Sequence, residues 1–162
     1  MTALKQETRE KLKSVSTATL CTALYKRGLR NQFIQDVRPL NPDLGTMVGE
    51  AYTLRYIPAR EDLDTLASFS RDDALQRIAL EQCPPGFVLV IDARGDDRIA
   101  CAGDMFVTRL MQRGCAGIVT DGGLRDVGLR HRGSSKCSCT RQPDHPRRKP
   151  TCHTRSPPLP SA

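Results

Sequence analysis

The sequence predicts an α/β fold: a layered sandwich of mixed β-sheet and flanking helices, with its C-terminal elements missing. Three observations carry this expectation. Helical and strand periodicities alternate along the body of the chain. Phe87–Ile91 (FVLVI) is an uninterrupted apolar run, as in a strand covered on both faces. From about residue 130 the apolar pattern stops, so the body ends before its sheet is closed.

Ser16 or Thr17 is placed to cap a helix running through Leu20, Ala23 and Leu24, and Gly28 is placed to end it. Residues 34–44, with proline and aspartate, read as a connection. Gly49–Ile57 (GEAYTLRYI) alternates like a strand with one wet face, closed by Pro58. Asp72 or Asp73 starts a helix through Ala74, Leu75, Ile78, Ala79 and Leu80. Pro84-Pro85-Gly86 turns the chain into the Phe87–Ile91 strand, and residues 92–97 form a polar turn. A short strand, Ile99–Ala102, leads into Gly103. The helix 104–113 sets Phe106, Val107, Leu110 and Met111 on one side. Gly117–Thr120 is the next buried strand, followed by a loop.

Two segments of different composition follow, residues 1–129 and residues 130–162. Residues 131–162 hold one large aliphatic residue (Leu159), one acid (Asp144), seven Lys or Arg, six of the eleven prolines and all three histidines. Such a segment buries too little apolar surface to offset its ordering entropy, so it is expected to be a disordered basic tail. Six of the seven formal positive charges belong to it, because residues 1–130 carry 18 bases and 17 acids. Nucleic acid is therefore not the expected partner of the body. Cys137, Cys139, His145, Cys152 and His153 match no standard zinc spacing. Cys21, Cys83, Cys101 and Cys115 stand singly in apolar stretches, which suits buried free thiols in a reducing compartment. With no leader pattern and no long apolar run, a soluble cytoplasmic protein without membrane association is expected.

Residues 103–126 carry the chemistry. A glycine turn (Gly103-Asp104-Met105-Phe106) opens a short helix. A small apolar strand then ends in Asp121-Gly122-Gly123-Leu124-Arg125-Asp126, an arginine beside a carboxylate. This is the layout of an anion and metal site. Each part also has a plainer reading: Asp104 as an ordinary N-cap, Asp121-Gly122-Gly123 as a tight turn, Arg125 and Asp126 as a surface pair of little energetic weight.

Five blocks in order, Ser16-Thr17-Ala18-Thr19-Leu20-Cys21, Gly49-Glu50-Ala51-Tyr52-Thr53, Pro85 to Asp92, Ala102-Gly103-Asp104 and Asp121 to Asp126, give a resemblance. Over roughly residues 10–128 the chain resembles the RraA-like family, which contains class II 4-hydroxy-4-methyl-2-oxoglutarate aldolases that also decarboxylate oxaloacetate, and the regulator of ribonuclease E activity A. The resemblance implies a divalent-metal-dependent lyase working through a pyruvate enolate, or, alternatively, a non-catalytic regulator of ribonuclease activity. It implies Asp126 as the metal residue, Arg125 as the substrate arginine and Asp104 as helper to the metal-bound water. The backbone N–H groups of Gly103, Asp104, Met105 and Phe106 would hold the 2-oxo-acid carboxylate, and Arg125 would donate to its oxygens. The implied cofactor is Mg2+, with Mn2+ second, and the implied assembly a homotrimer or hexamer.

The family continues past the Arg-Asp pair with further strand and helix, which this chain does not. Common codons for Cys139–Pro146, read one base later, give Ala-Pro-Ala-Ser-Pro-Thr-Ile, like the proline-spaced loop of the family. A single-base frameshift near codons 127–130 is thus the expected origin of the tail, leaving an incomplete sheet edge and impaired activity.

Overall fold

The computed structural model of the 162-residue chain describes residues 4–60, 62–96, 100–125, 137–141 and 152–154. Helices α1 (Gln6–Lys13) and α2 (Thr17–Lys26) come first, then the two-residue strand β1 (Arg38–Pro39) and a 3-10 turn, Pro42–Leu44. Strand β2 (Ala51–Pro58), the short α3 (Leu66–Phe69), α4 (Leu75–Gln82) and β3 (Val88–Asp92) follow. The last elements are β4 (Ala100–Ala102), α5 (Asp104–Gln112), β5 (Gly117–Leu124), β6 (Cys137–Arg141) and β7 (Cys152–Thr154).

The sheet is ordered β1-β6-β5-β3-β2-β7, with β4 paired to β5 off this path. Strand β3 lies parallel between β2 and β5, with Leu89 opposite both Tyr52 and Ile118. Strand β6 is parallel to β5, whereas β1 and β7 are antiparallel to their neighbours. The sheet is therefore mixed, as the sequence predicts.

Position in the sheet explains the two strand patterns. Strand β2 buries Leu54 and Tyr56 while Thr53 and Arg55 face water, which is the alternation read from GEAYTLRYI. Strand β3 is flanked on both sides, and Leu89 and Ile91 are almost fully buried. Helices α4 and α5 cover the sheet through Ala79, Val107 and Leu110. Each fully buried Leu or Ile contributes about 1.5–3 kcal/mol.

The Ser16 hydroxyl accepts from the Thr19 N–H at 3.1 Å to start α2, and Gly28, at φ +83°, ends it. Helix α4 does not start at Asp72 or Asp73. Its cap position is Ala74, and the Asp73 carboxylate is held instead by Arg71 at 2.6 and 2.8 Å. The carboxylate is thus engaged one residue before the cap position and makes no cap bond. Strand β5 runs to Leu124, so Asp121-Gly122-Gly123 is strand rather than loop. The reason is that β4 pairs with its far end, Ala100 opposite Gly123 and Ala102 opposite Leu124.

The segment expected to be an unstructured tail contains β6 and β7. Strand β6 pairs with β5, and β7 with β2. Cys83, Cys101 and Cys115 are buried free thiols, and Cys21 is half-buried. Burial foremost, and then a hydrogen bond with the Cys115 thiol, pushes the Cys83 thiol up to about 12. Among the described residues, no helix is long and apolar enough to cross a membrane.

Candidate active site

The site forms where β4 hands over to α5 beside the end of β5. Gly103 is the cap residue of α5, with extended backbone (φ −110°, ψ −179°) and no side chain capping the helix. Asp104 is one position inside, so it is not the N-cap. Its backbone N–H and those of Met105 and Phe106 belong to the first turn, where the helix itself offers no acceptor. Those donors and the positive end of the helix dipole favour an anion. Met105 is 87% exposed, Asp104 is half-buried, and Phe106 packs against the core with Val107 and Leu110 beneath it.

Successive carbonyls leading into this helix are fixed from different directions. The Cys101 oxygen accepts from the Tyr56 hydroxyl at 2.7 Å and from the Gln76 side-chain amide at 3.0 Å. The Ala102 oxygen accepts from the Arg125 backbone N–H at 3.1 Å, and the Gly103 oxygen from the Val107 N–H at 3.1 Å. Strands β2, β4 and β5 and helix α4 thereby set the direction of the first turn of α5. Arg125, one residue past β5, is exposed beside it.

Asp121 serves a different purpose from its neighbours in the motif. Its carboxylate accepts from the backbone N–H of Ala93 at 2.5 Å and of Gly95 at 2.7 Å, which ties down the turn after β3. Arg94, at φ +61°, occupies the left-handed region within that turn. Asp92 accepts from the Arg94 N–H at 2.9 Å and from Arg55 at 2.6 Å. The Arg94 N–H first, and then Arg55, hold the Asp92 carboxyl below its usual range. Gly122 is needed for space. A Cβ there would stand 2.5 Å from Cys101 Sγ and 2.7 Å from Ala93 Cβ.

Of the residues singled out from the sequence, Gly103, Asp104, Met105, Phe106 and Arg125 converge at this junction. Asp126 lies outside the described residues, as do the side chains of the tail cysteines and histidines. Among the described residues, no three His, Cys, Asp or Glu side chains gather to hold a metal ion. The sequence reading missed Tyr56 and Gln76. Tyr56 alternates inward on β2 and so reads as core, and Gln76 carries no local signal at all.

Comparison with known proteins agrees with this architecture. The family model described as RraA-like, Aldolase/RraA, matches residues 17–149. A curated protein of Halalkalibacterium halodurans, provisionally named 4-hydroxy-4-methyl-2-oxoglutarate aldolase, is 34% identical over 109 residues, 67% of this chain. The chain spans 45% of that relative's length. The crystal structure of Streptomyces coelicolor RraAS2, described as an unusual member of the RNase ES inhibitor RraA protein family, superposes with TM-score 0.78 at 32% identity. That match covers 96% of this chain and 73% of the other. The RNA-processing inhibitor RraA from Thermus thermophilis shares the fold at TM-score 0.58 and 22% identity, covering 87% of this chain and 76% of its own.

Proposed function

The chain belongs to the RraA-like (Aldolase/RraA) family, and on that premise we propose that it is a divalent-metal-dependent carbon–carbon lyase. The reaction is of the 4-hydroxy-4-methyl-2-oxoglutarate aldolase and oxaloacetate decarboxylase type. One observation supports the reading: the Arg125 backbone N–H bonds the carbonyl of Ala102, the residue before Gly103, and Gly103 as cap residue of α5 offers no side chain to the first-turn N–H groups. An arginine and free first-turn N–H groups both attract oxyanions, and a 2-oxo acid brings a carboxylate and a keto oxygen side by side.

Retro-aldol cleavage and oxaloacetate decarboxylation pass through the same pyruvate enolate, so each requires negative charge to be stabilised on the keto oxygen. In this scheme the N–H groups of Gly103 to Phe106 orient the substrate carboxylate. Arg125 donates its planar fork to the carboxylate or the developing enolate oxygen, where its charge gains strength as the reaction proceeds. Asp104, half-buried in the first turn, holds or passes a proton at its carboxylate.

The oxygen donors this reading calls on, the Asp104 and Asp126 carboxylates, are of the hard kind a divalent cation takes. Mg2+ takes one or two carboxylates and keeps several waters. Asp126 would hold it, with Asp104 alongside. When bound, the cation supplies Lewis acidity toward the substrate oxygens. The test is pyruvate release from oxaloacetate with Mg2+ or Mn2+, expected to stop on chelation and in Arg125→Ala. Full turnover in that variant overturns the reading.

The likeness to RraAS2 favours a second reading, a non-catalytic regulator of ribonuclease activity. It requires inhibition of an RNase E-type nuclease that is indifferent to chelator and to Arg125→Ala.

A further inference from the structure

Charge is segregated along the body of the chain, and the near-neutral total hides it. Residues 1–35 carry seven bases and two acids, whereas residues 36–130 carry eleven bases and fifteen acids. Residues 11–35 carry five bases and no acid at all. On α1 the bases are answered: Lys11 pairs with Glu7 at 2.7 Å, Lys13 with Glu10 at 2.9 Å and Arg9 with Glu50 at 2.9 Å. Lys26, Arg27 and Arg30 form no ion pair among the described residues. Positive charge is thus concentrated at the C-terminal end of α2 and the turn beyond it.

The way α2 stops gives that charge a shape. The Gly28 N–H donates to the Tyr25 carbonyl at 2.9 Å and the Leu29 N–H to the Leu24 carbonyl at 3.0 Å, the paired bonds that close a helix on a left-handed glycine. The chain doubles back, and the Arg30 guanidinium comes to lie over the Tyr25 ring, 5.3 Å from its centre. Tyr25 is 60% exposed and Phe33 52%, so both rings keep open surface. Beside Tyr25, one stripe of α2 lines a depression of about 610 Å³: Thr19, Thr22, Ala23, Lys26 and Arg27. Small residues form its floor and two cations its far end. Thr22 donates to the Ala18 carbonyl at 3.0 Å and Thr19 shares a hydrogen bond with Ser16 at 2.9 Å, so each hydroxyl oxygen keeps a lone pair for an outside donor.

Unpaired cations suit phosphates, open aromatic rings suit unstacked bases, and hydroxyl acceptors suit a ribose 2′-OH. A lipid surface would require one continuous apolar face, and here the stripe itself is polar and cationic. We propose that residues 19–33 bind single-stranded RNA, with Lys26, Arg27 and Arg30 on its phosphates, Tyr25 and Phe33 stacked against bases, and the Thr19 and Thr22 hydroxyls facing ribose. The proposal does not rest on the lyase reading, since none of these residues belongs to the site at Gly103 and Arg125.

The test is fluorescence anisotropy of the full chain with a fluorescein-labelled single-stranded RNA of mixed sequence, about 12 nucleotides long. Three cations on phosphates give a slope of about −2 in log affinity against log salt, so binding is expected to weaken roughly twentyfold between about 50 and about 200 mM salt. Lys26→Ala with Arg27→Ala is expected to weaken it about tenfold or more at low salt and to flatten the slope by more than half. Tyr25→Ala and Phe33→Ala should each weaken it about fivefold or more, whereas Tyr25→Phe, which keeps the ring, should bind like wild type. Far-UV circular dichroism checks the fold, and Lys26→Gln with Arg27→Gln stands in if a variant misfolds. Absence of saturable binding at low salt overturns the proposal. Binding that the α2 substitutions leave unchanged overturns it too, and assigns the affinity to the basic residues 131–162. Equal affinity for a duplex, or for DNA of the same sequence, overturns the assignment to single-stranded RNA, as does a preference for anionic phospholipid vesicles over the RNA.

Discussion

The backbone N–H of Arg125 donates to the carbonyl of Ala102 at 3.1 Å, fastening the end of β5 to the residue just before the α5 cap. Because the bond is made by backbone, it survives any substitution of the arginine except proline. Substituting the Arg125 side chain therefore leaves this backbone bond in place. Arg125→Ala is expected to lower kcat/KM for oxaloacetate on the order of 10²–10³-fold, the cost of losing one donor to a developing oxyanion. Arg125→Lys keeps the charge but loses the fork, and should recover only part of the activity.

The Cys101 carbonyl, with two side-chain donors, is the second support of the site. Tyr56→Phe removes one donor from a buried acceptor that Gln76 still satisfies, and is expected to cost about 0.5–1.5 kcal/mol. Adding Gln76→Leu strips both donors, and the pair should cost more than the sum of the single changes. A double-mutant cycle by urea denaturation measures this.

Gly122 tests the close approach of β5 to β4 and the β3–β4 turn. A methyl group there meets Cys101 Sγ and Ala93 Cβ well inside contact distance. Gly122→Ala is expected to destabilise the fold by about 1–3 kcal/mol through overpacking. Combining it with Cys101→Ala should return part of the loss, as denaturation midpoints would reveal.

Acid stability follows from carboxylates held below their usual range. In Glu50 the Leu4 N–H is the largest cause, with Arg9 contributing; in Asp92 it is the Arg94 N–H; in Glu81 it is Arg109. A group with a depressed folded pKa stabilises the native state above its unfolded value and loses that contribution as pH falls through the folded one. Stability is therefore expected to be level near neutrality and to decline below about pH 4.5, where unfolded carboxylates take up protons. Urea titrations at stepped pH read this directly, and Glu50→Gln should flatten part of the decline.

The C-terminal strands offer a deletion test. Strand β6 pairs with β5 and β7 with β2, so removing residues 131–162 takes a hydrogen-bonded neighbour from each. The shortened chain is expected to melt lower and to aggregate more readily through the newly open edges. An unchanged melting temperature would instead fit a tail that contributes nothing, as an out-of-frame translation would.

Local pattern determined much of this protein. The period of two in β2, the unbroken apolar run of β3, the capped α2 and the one-sided α5 are written in short stretches, because each reports only which face of an element is wet. The glycine turn at Gly103 and Arg125 lie in one segment, and from that segment alone the sequence reads as an anion site. Tertiary structure decided the rest. Strand β5 extends through Asp121-Gly122-Gly123 because β4 returns to pair with it. Helix α4 takes Ala74 rather than Asp73 as its cap position, and Asp73 pairs with Arg71 instead. Asp121 anchors a turn 26 residues upstream, at Gly95. Tyr56 and Gln76 meet on one carbonyl, from positions 45 and 25 residues away along the chain. These pairings join residues remote in sequence. A hydrogen bond between them forms only once the sheet has fixed their register, so no local window of sequence contains them.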